Sequence, residues 1–301
     1  MNPKIILVVL NWNMPADTIE CVESCQKTQY DNFEVIIVDN GSKDNSVKQF
    51  RERFPHIETI ANEENLGYAG GNNVGMKRAL EKGADWVLLL NNDTTIDPKM
   101  LEELAASVRR HPEAGMLAPK VLYYDDRGVI NSLGTSMDWL RLRPYIGECN
   151  RPDTDAWPET IERDILVGCG LLVKRQLIEK VGMIDEAFFI FHEEADWCFR
   201  SRAAGFKNLV VPGAKMYHKA SKTMRAFSAL THYYSTRNFL RLTQKNAGPV
   251  DRVKVAAGLS YLSARSALRY AAGDKKLPRA FFLGLWDYFT GNTGKCRRIF
   301  E

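Results

Sequence analysis

The chain has 301 residues, 45% of them hydrophobic and 26% charged, with a formal net charge of +4. This is the balance of a folded globular protein, long enough for one large α/β domain with additions or for two small domains. No apolar run approaches the ~20 residues of a membrane span, the apolar start at residues 5–10 is too short for a signal peptide, and six cysteines without a Cys-x-x-Cys pair indicate reduced thiols of a cytosolic protein, not a zinc site or disulfide framework.

Residues 5–10 read as a buried strand, followed by a helix from Pro15 to about Lys27. Residues 33–38 form a second strand, Asp44 caps a helix running to Phe54, and residues 57–61 form a short third strand. A loop follows over residues 62–71, then a helix from about Asn72 to Lys82 and a fourth strand at 87–90. Pro98 sits near the first turn of the next helix, with Asp97 as its cap and its end near His111-Pro112. The β-α-β-α order predicts a parallel sheet with helices on both faces. Residues 121–163 lose the pattern and read as loops and short strands. Order returns in the apolar run 165–173, interrupted by Gly168-Cys169-Gly170, and in helices over 174–181 and 193–204. Residues 208–211 read as a last sheet strand, stopped by Pro212-Gly213.

Two buried strands end in an acid, in Val38-Asp39-Asn40-Gly41-Ser42 and in Leu90-Asn91-Asn92-Asp93-Thr94. Ligands of open α/β sheets sit at that carboxyl edge. Asp39 and Asp93 therefore face one crevice, where an acid flanked by amides can hold a divalent cation against a diphosphate. The segment Asn65-Leu66-Gly67-Tyr68-Ala69-Gly70-Gly71-Asn72-Asn73 leads into a helix, and its glycines allow close backbone approach to an anionic ligand. A dinucleotide site would need glycines after the first strand, but that turn is Asn11-Trp12-Asn13-Met14-Pro15.

Downstream, Phe191-His192-Glu193-Glu194-Ala195-Asp196 places three acids at a helix start behind an aromatic-rich segment. Acids there favour the helix dipole, whereas aromatic neighbours raise a carboxylate toward general-base use, for which one of the three suffices. His218 follows the last sheet strand, and carboxylate with imidazole suits Mn²⁺ or Mg²⁺ beside a diphosphate.

Taken together, these motifs resemble family 2 glycosyltransferases of the GT-A fold, in the rhamnosyltransferase-like bacterial branch. The resemblance spans about residues 4–220. It implies a Rossmann-like, mostly parallel α/β sheet flanked by helices, and a catalytic domain over 1–220 with a nucleotide-sugar half (1–120) and an acceptor half (121–220). By it, Asp39 reads the pyrimidine or ribose, and Asn11, Asn13, Asn40, Gly67, Asn72, Asn91 and Asn92 line the nucleotide sugar. Asn91-Asn92-Asp93 occupies the Asp-x-Asp metal motif, with Asn91 in place of an acid, so Asp93 and His218 would hold the metal. Glu194, beside Glu193, matches the catalytic base, and Gly168, Cys169 and Gly170 lie below the acceptor.

The implied reaction is inverting transfer from a nucleoside-diphosphate sugar, dTDP-rhamnose first and a UDP-sugar second, to a surface-polysaccharide or lipid-linked glycan. A non-catalytic sugar-nucleotide or glycan-binding subunit is the alternative, supported by Asn91 alone. A nucleotidyltransferase would need a Gly-rich basic loop after the first strand, which residues 11–15 lack.

Residues 221–301 carry fifteen Lys/Arg against four Asp/Glu, whereas the first 220 are net acidic. In this extension Phe281, Phe282, Leu285, Trp286 and Phe289 recur at helical spacing, with Arg279 before them and Lys295, Arg297 and Arg298 after. An earlier segment puts Val255, Leu259 and Leu262 on one face, with Arg252, Lys254, Arg265 and Arg269 nearby. Two readings of these helices stand: packing against the catalytic domain, or an anionic membrane surface as partner, not nucleic acid, with a peripheral location at the inner face of the plasma membrane.

Overall fold

A computed structural model describes residues 2–145, 148–154, 156–219 and 229–297. The first half alternates as β1 (Ile5–Asn11), α1 (Pro15–Cys25), β2 (Phe33–Asp39), α2 (Ser46–Arg53), β3 (Glu58–Ala61), α3 (Gly67–Glu81) and β4 (Trp86–Asn91). Ile5, Ile6, Leu7, Val8 and Val9 are all fully buried, because helices cover both faces of the sheet. β1 pairs in parallel with β2 and β4, so Asn11 lies opposite Asp39 and Leu10 opposite Asn91. The polar ends of three strands thereby meet at one edge.

The second half contains β5 (Thr94–Ile96), α4 (Met100–Arg110), β6 (Ala114–Tyr123), β7 (Ile130–Ser132), β8 (Ser136–Asp138), β9 (Arg143–Tyr145) and β10 (Ile161–Glu162). It continues through β11 (Gly170–Lys174), α5 (Arg175–Val181), a 3₁₀ turn (Glu186–Phe188), α6 (Glu193–Ala203) and β12 (Lys207–His218). Among the described residues the main sheet runs β10-β12-β6-β11-β4-β1-β2-β3, with β5 on β12 and β7 on β6. Its β4-β1-β2-β3 half is parallel as expected. The other half is mixed, since β11 enters antiparallel between β4 and β6.

Four local expectations need correction. The helix expected from Asn72 starts at Gly67, so Gly67 to Gly71 are helical. Those glycines seat the helix on β1: a Cβ at Gly71 would lie 2.6 Å from Leu10 Cδ1, and one at Gly75 2.2 Å from Val8 Cγ1. β6 was not anticipated, because Pro119 and Lys120 interrupt its apolar pattern; buried Lys120 is neutralised by Asp153 at 2.5 Å. The run 165–173 becomes strand only from Gly170; Ile165 bridges Thr135, and a turn at residues 168–169 leads into the strand. β12 does not stop at Pro212-Gly213; a register shift between Val211 and Lys215 absorbs them, and the strand continues to His218.

Three helices follow, α7 (Ala229–Asn246), α8 (Pro249–Ala271) and α9 (Lys276–Phe289). The expected boundary at 220/221 and Arg298 lie outside the described residues. The aromatic stripe of α9 is split: Phe281 is buried at 3% exposure, while Phe282, Trp286 and Phe289 face outward at 39%, 61% and 76%. Ala280, Gly284 and Asp287 share the inward face with Phe281 because α9 packs on α7. On α8, Val255 is buried, and Val250, Val253, Tyr261 and Leu268 are exposed.

Candidate active site

The crevice begins where β1, β2 and β4 end. Asn11 Nδ2 donates to Asp39 Oδ2 at 2.7 Å and to Ser42 Oγ at 3.1 Å, and Asn11 Oδ1 accepts from Thr18 Oγ1 at 2.7 Å. Asn92 Nδ2 closes this network on Thr18 Oγ1 at 3.1 Å. Asp39 also accepts from the Ser42 N–H at 2.9 Å, so the buried carboxyl group is held by hydrogen bonds. Asn40 is equally buried, donating to Gly67 O at 2.9 Å and accepting from Leu66 N at 3.1 Å. Asn11 and Asn40 thus lie inside the crevice wall. Asn13 sits exposed at its rim with φ 54°, its Oδ1 accepting from Lys43 N at 2.8 Å. Asn72 donates to Tyr68 O at 2.9 Å, and its buried Oδ1 has no hydrogen-bond partner among the described residues.

Asn91 and Asp93 stand where β4 turns into β5. Thr94 Oγ1 closes that turn on Asn91 O at 2.7 Å. β5 then pairs antiparallel with β12, with Thr94 opposite His218. This register carries His218 Nε2 to 3.3 Å from Asp93 Oδ1, joining the two residues expected to share a metal. Both ring nitrogens are buried without a hydrogen-bond partner among the described residues, as expected of an imidazole reserved for a ligand. The oxygen and nitrogen donors fit Mn²⁺ or Mg²⁺. Among the described residues no cluster of three His, Cys, Asp or Glu could hold an ion.

The acid pair opens α6 after an unusual approach. Phe189, Phe191 and His192 adopt positive φ of 66°, 70° and 71°. Such non-glycine residues cost of order 1–3 kcal/mol each and persist only where surroundings over-determine them. Glu193 is 4% exposed, with Oε2 unpartnered among the described residues; Glu194 is partly buried, its Cβ 3.6 Å from where a Gly168 Cβ would stand. Burial and the neighbouring Glu194 charge hold Glu193 well above the usual carboxylate range. Burial raises Glu194 too, against the opposing pull of the N–H groups at the helix start. Burial brings His192 down to about 4, leaving it neutral. The third acid, Asp196, is structural: Arg200 Nε reaches it at 2.8 Å and Lys245 Nζ at 2.9 Å.

Gly168-Cys169-Gly170 joins the two clusters. Tyr68 Oη donates to Gly168 O at 2.6 Å, and a Cβ at Gly170 would meet Met216 Sδ at 2.3 Å. Burial, then the Asp93 carboxylate and more weakly that of Glu194, push the Cys169 thiol far up, so it stays protonated. Asn91 N donates to Cys169 O at 3.0 Å, so this segment also touches the end of β4. Tyr68, not selected from the sequence, is raised by burial and by Glu193 and Glu194; a tyrosine within a glycine run was its only cue.

The family model described as glycosyl transferase family 2 matches residues 5–182. The chain is 24% identical over 258 residues to the dTDP-rhamnosyl transferase RfbF of Shigella flexneri, covering 83% of each protein. It is 30% identical over 228 residues to the N-acetylglucosaminyl-diphospho-decaprenol L-rhamnosyltransferase of Mycobacterium tuberculosis, covering 68% of this chain and 74% of that one. Among solved structures, the mannosyltransferase PcManGT of Pyrobaculum calidifontis in complex with GDP-Man and Mn²⁺ superposes with a TM-score of 0.59 at 14% identity, over 96% of this chain and 88% of that one. That last likeness is one of fold, and the fold is GT-A-like.

Proposed function

Since this chain belongs to glycosyl transferase family 2 and is a glycosyltransferase, we propose that it moves a sugar, rhamnose from dTDP-rhamnose first and a UDP-linked sugar second, onto a hydroxyl of a surface-polysaccharide or lipid-linked glycan. The names of the two rhamnosyltransferase relatives support that order of donors. In this reading residues 1–120 take the nucleotide sugar, residues 121–220 the acceptor, and 221–301 form the extension.

The observation that carries it is that Gly168-Cys169 bridges two chemistries: Asn91 N, at the strand end that leads to Asp93 and His218, donates to Cys169 O at 3.0 Å, and Glu194 Cβ lies 3.6 Å from where a Gly168 Cβ would stand. Glu194 takes the proton of the acceptor hydroxyl as its oxygen bonds to the anomeric carbon. The bond from that carbon to the diphosphate breaks with inversion, and the nucleoside diphosphate leaves with the electron pair. Glu193, whose Oε2 has no hydrogen bond among the described residues, helps position its neighbour. Asp39 and its amides orient the nucleoside. Asp93 and His218 would hold Mn²⁺ or Mg²⁺, whose contribution when bound is to neutralise charge on the departing diphosphate.

One further feature supports a peripheral site at the inner face of the plasma membrane. Phe282, Trp286 and Phe289 form an exposed row on α9, near a basic set that includes Arg279 and Lys295. Aromatic side chains in the headgroup boundary with cations above them suit anionic lipid. Among the described residues no helix is long and apolar enough to cross a membrane.

The test is transfer from dTDP-rhamnose and UDP-sugars, with Mn²⁺, Mg²⁺ or chelator, to a lipid-linked acceptor, read by mass spectrometry. Rhamnose transfer that stops with chelator supports the reading. Transfer from a purine-nucleotide sugar alone, or undiminished by chelator, overturns it.

A further inference from the structure

The backbone ahead of the acid pair is held from α7. The carbonyl oxygens of Phe188, Ile190 and Phe191 all accept from one atom, Asn238 Nδ2, at 2.8, 2.7 and 3.0 Å. That nitrogen has two hydrogens for three acceptors, so one N–H is shared. Its orientation is set by Arg237, whose Nε donates to Asn238 Oδ1 at 2.9 Å and turns the amide nitrogen toward the carbonyls. Arg237 Nη2 reaches Phe188 O at 3.1 Å, and Nη1 reaches Gly294 O at 2.9 Å. The guanidinium lies over the Tyr233 and Tyr234 rings, at 5.4 and 5.0 Å, and Tyr234 stacks on Phe189 at 5.5 Å. On the far side, Phe189 O accepts from Ala69 N of α3 at 3.2 Å.

Arg237 and Asn238 are 2% and 0% exposed. Burying a guanidinium and an amide in a helix face is unfavourable beside an apolar alternative unless their hydrogen bonds are needed. What those bonds hold is the strained stretch 188–192, where three residues take a left-handed backbone that they do not favour. The next two residues are Glu193 and Glu194.

We propose that Arg237 and Asn238 are positioning residues for the acid pair: from the C-terminal helices they hold the backbone of 188–191 so that Glu194 stands over Gly168 and Cys169. This rests on the reading of Glu194 as the base. Neither residue touches the nucleotide crevice, so their loss should leave donor binding alone. A base displaced by about 1 Å can lose about a hundredfold in rate.

Asn238→Asp is nearly isosteric but turns a carboxylate oxygen toward three carbonyl oxygens. With the full chain, we expect kcat to fall at least tenfold while the donor KM stays within twofold. Hydrogen exchange of a peptide covering residues 187–197 should quicken at least tenfold, with peptides from β1 and β4 unchanged. If Asn238→Asp does not fold, Arg237→Lys, which keeps the charge but loses the fork, is measured in the same way. Unchanged exchange at 187–197, or a kcat within twofold of wild type, overturns the proposal. The exchange readout does not use turnover. A wild-type protein without transferase activity that shows the exchange difference would sink the base assignment and leave the backbone clamp standing.

Discussion

Gly67 and Phe189 meet so closely that no side chain fits between them: a Cβ on Gly67 would lie 2.3 Å from the Phe189 carbonyl oxygen and 2.6 Å from its ring. Gly67 also has φ +75°, so alanine is strained there twice over. We expect Gly67→Ala to cost about 1–3 kcal/mol of stability by chemical denaturation. An unchanged midpoint would mean that the two segments part freely.

Asp93→Ala should abolish metal-dependent donor binding, whereas His218→Ala should weaken it. Both expectations come from the 3.3 Å approach of the two side chains and from imidazole nitrogens that make no hydrogen bond among the described residues. Thermal shift with nucleoside diphosphate, with and without Mn²⁺, reads the effect. Should His218→Ala keep the full Mn²⁺ requirement and turnover, the histidine is structural.

The acid pair predicts opposite effects on activity and stability. A base works deprotonated, so the rate should rise with pH through a midpoint above the ~4.3 of a free glutamate. Acids held above their unfolded values stabilise the fold most below that value, and this contribution is lost as pH rises through the folded values. Glu194→Gln should therefore cut turnover by about 10²–10⁴ yet raise the unfolding midpoint at neutral pH. Glu193→Gln should cost less activity. The reverse ranking would move the base to Glu193.

Membrane association can be read by sedimentation with liposomes. We expect binding to anionic but not neutral vesicles, and release by high salt. Replacing exposed Trp286 and Phe289 by Ser should weaken it without changing donor affinity. Equal recovery in the supernatant with both lipid types would reduce this face to ordinary surface.

The sequence was most informative where one local rule governed the outcome. Apolar runs ending in Asp39 and Asp93 gave the parallel strands and their shared edge, because buried strands and their polar tips are written residue by residue. It was least informative where distant partners decide. β6 hides behind Lys120, whose charge is matched by Asp153, and Pro212-Gly213 reads as a stop until pairing with β6 carries the strand past it. The pairing of Asp93 with His218 depends on β5 lying against β12, a register that no short window contains. Arg237 and Asn238 look like ordinary polar helix residues, since their acceptors are carbonyls some fifty positions earlier (|i−j| of 49 and 50).

Gly294 joins residues made far apart in time: its N–H donates to Ala187 O at 2.8 Å, and its carbonyl accepts from Arg237. A chain ending at residue 290 should bind donor normally but transfer sugar at least tenfold more slowly, and equal turnover in a side-by-side assay would refute this. The order of manufacture then matters. Translation at ~5–20 residues per second separates completion of β12 from arrival of residue 294 by roughly ten seconds. On the proposed reading, the nascent protein would during that interval bind donor without transferring its sugar.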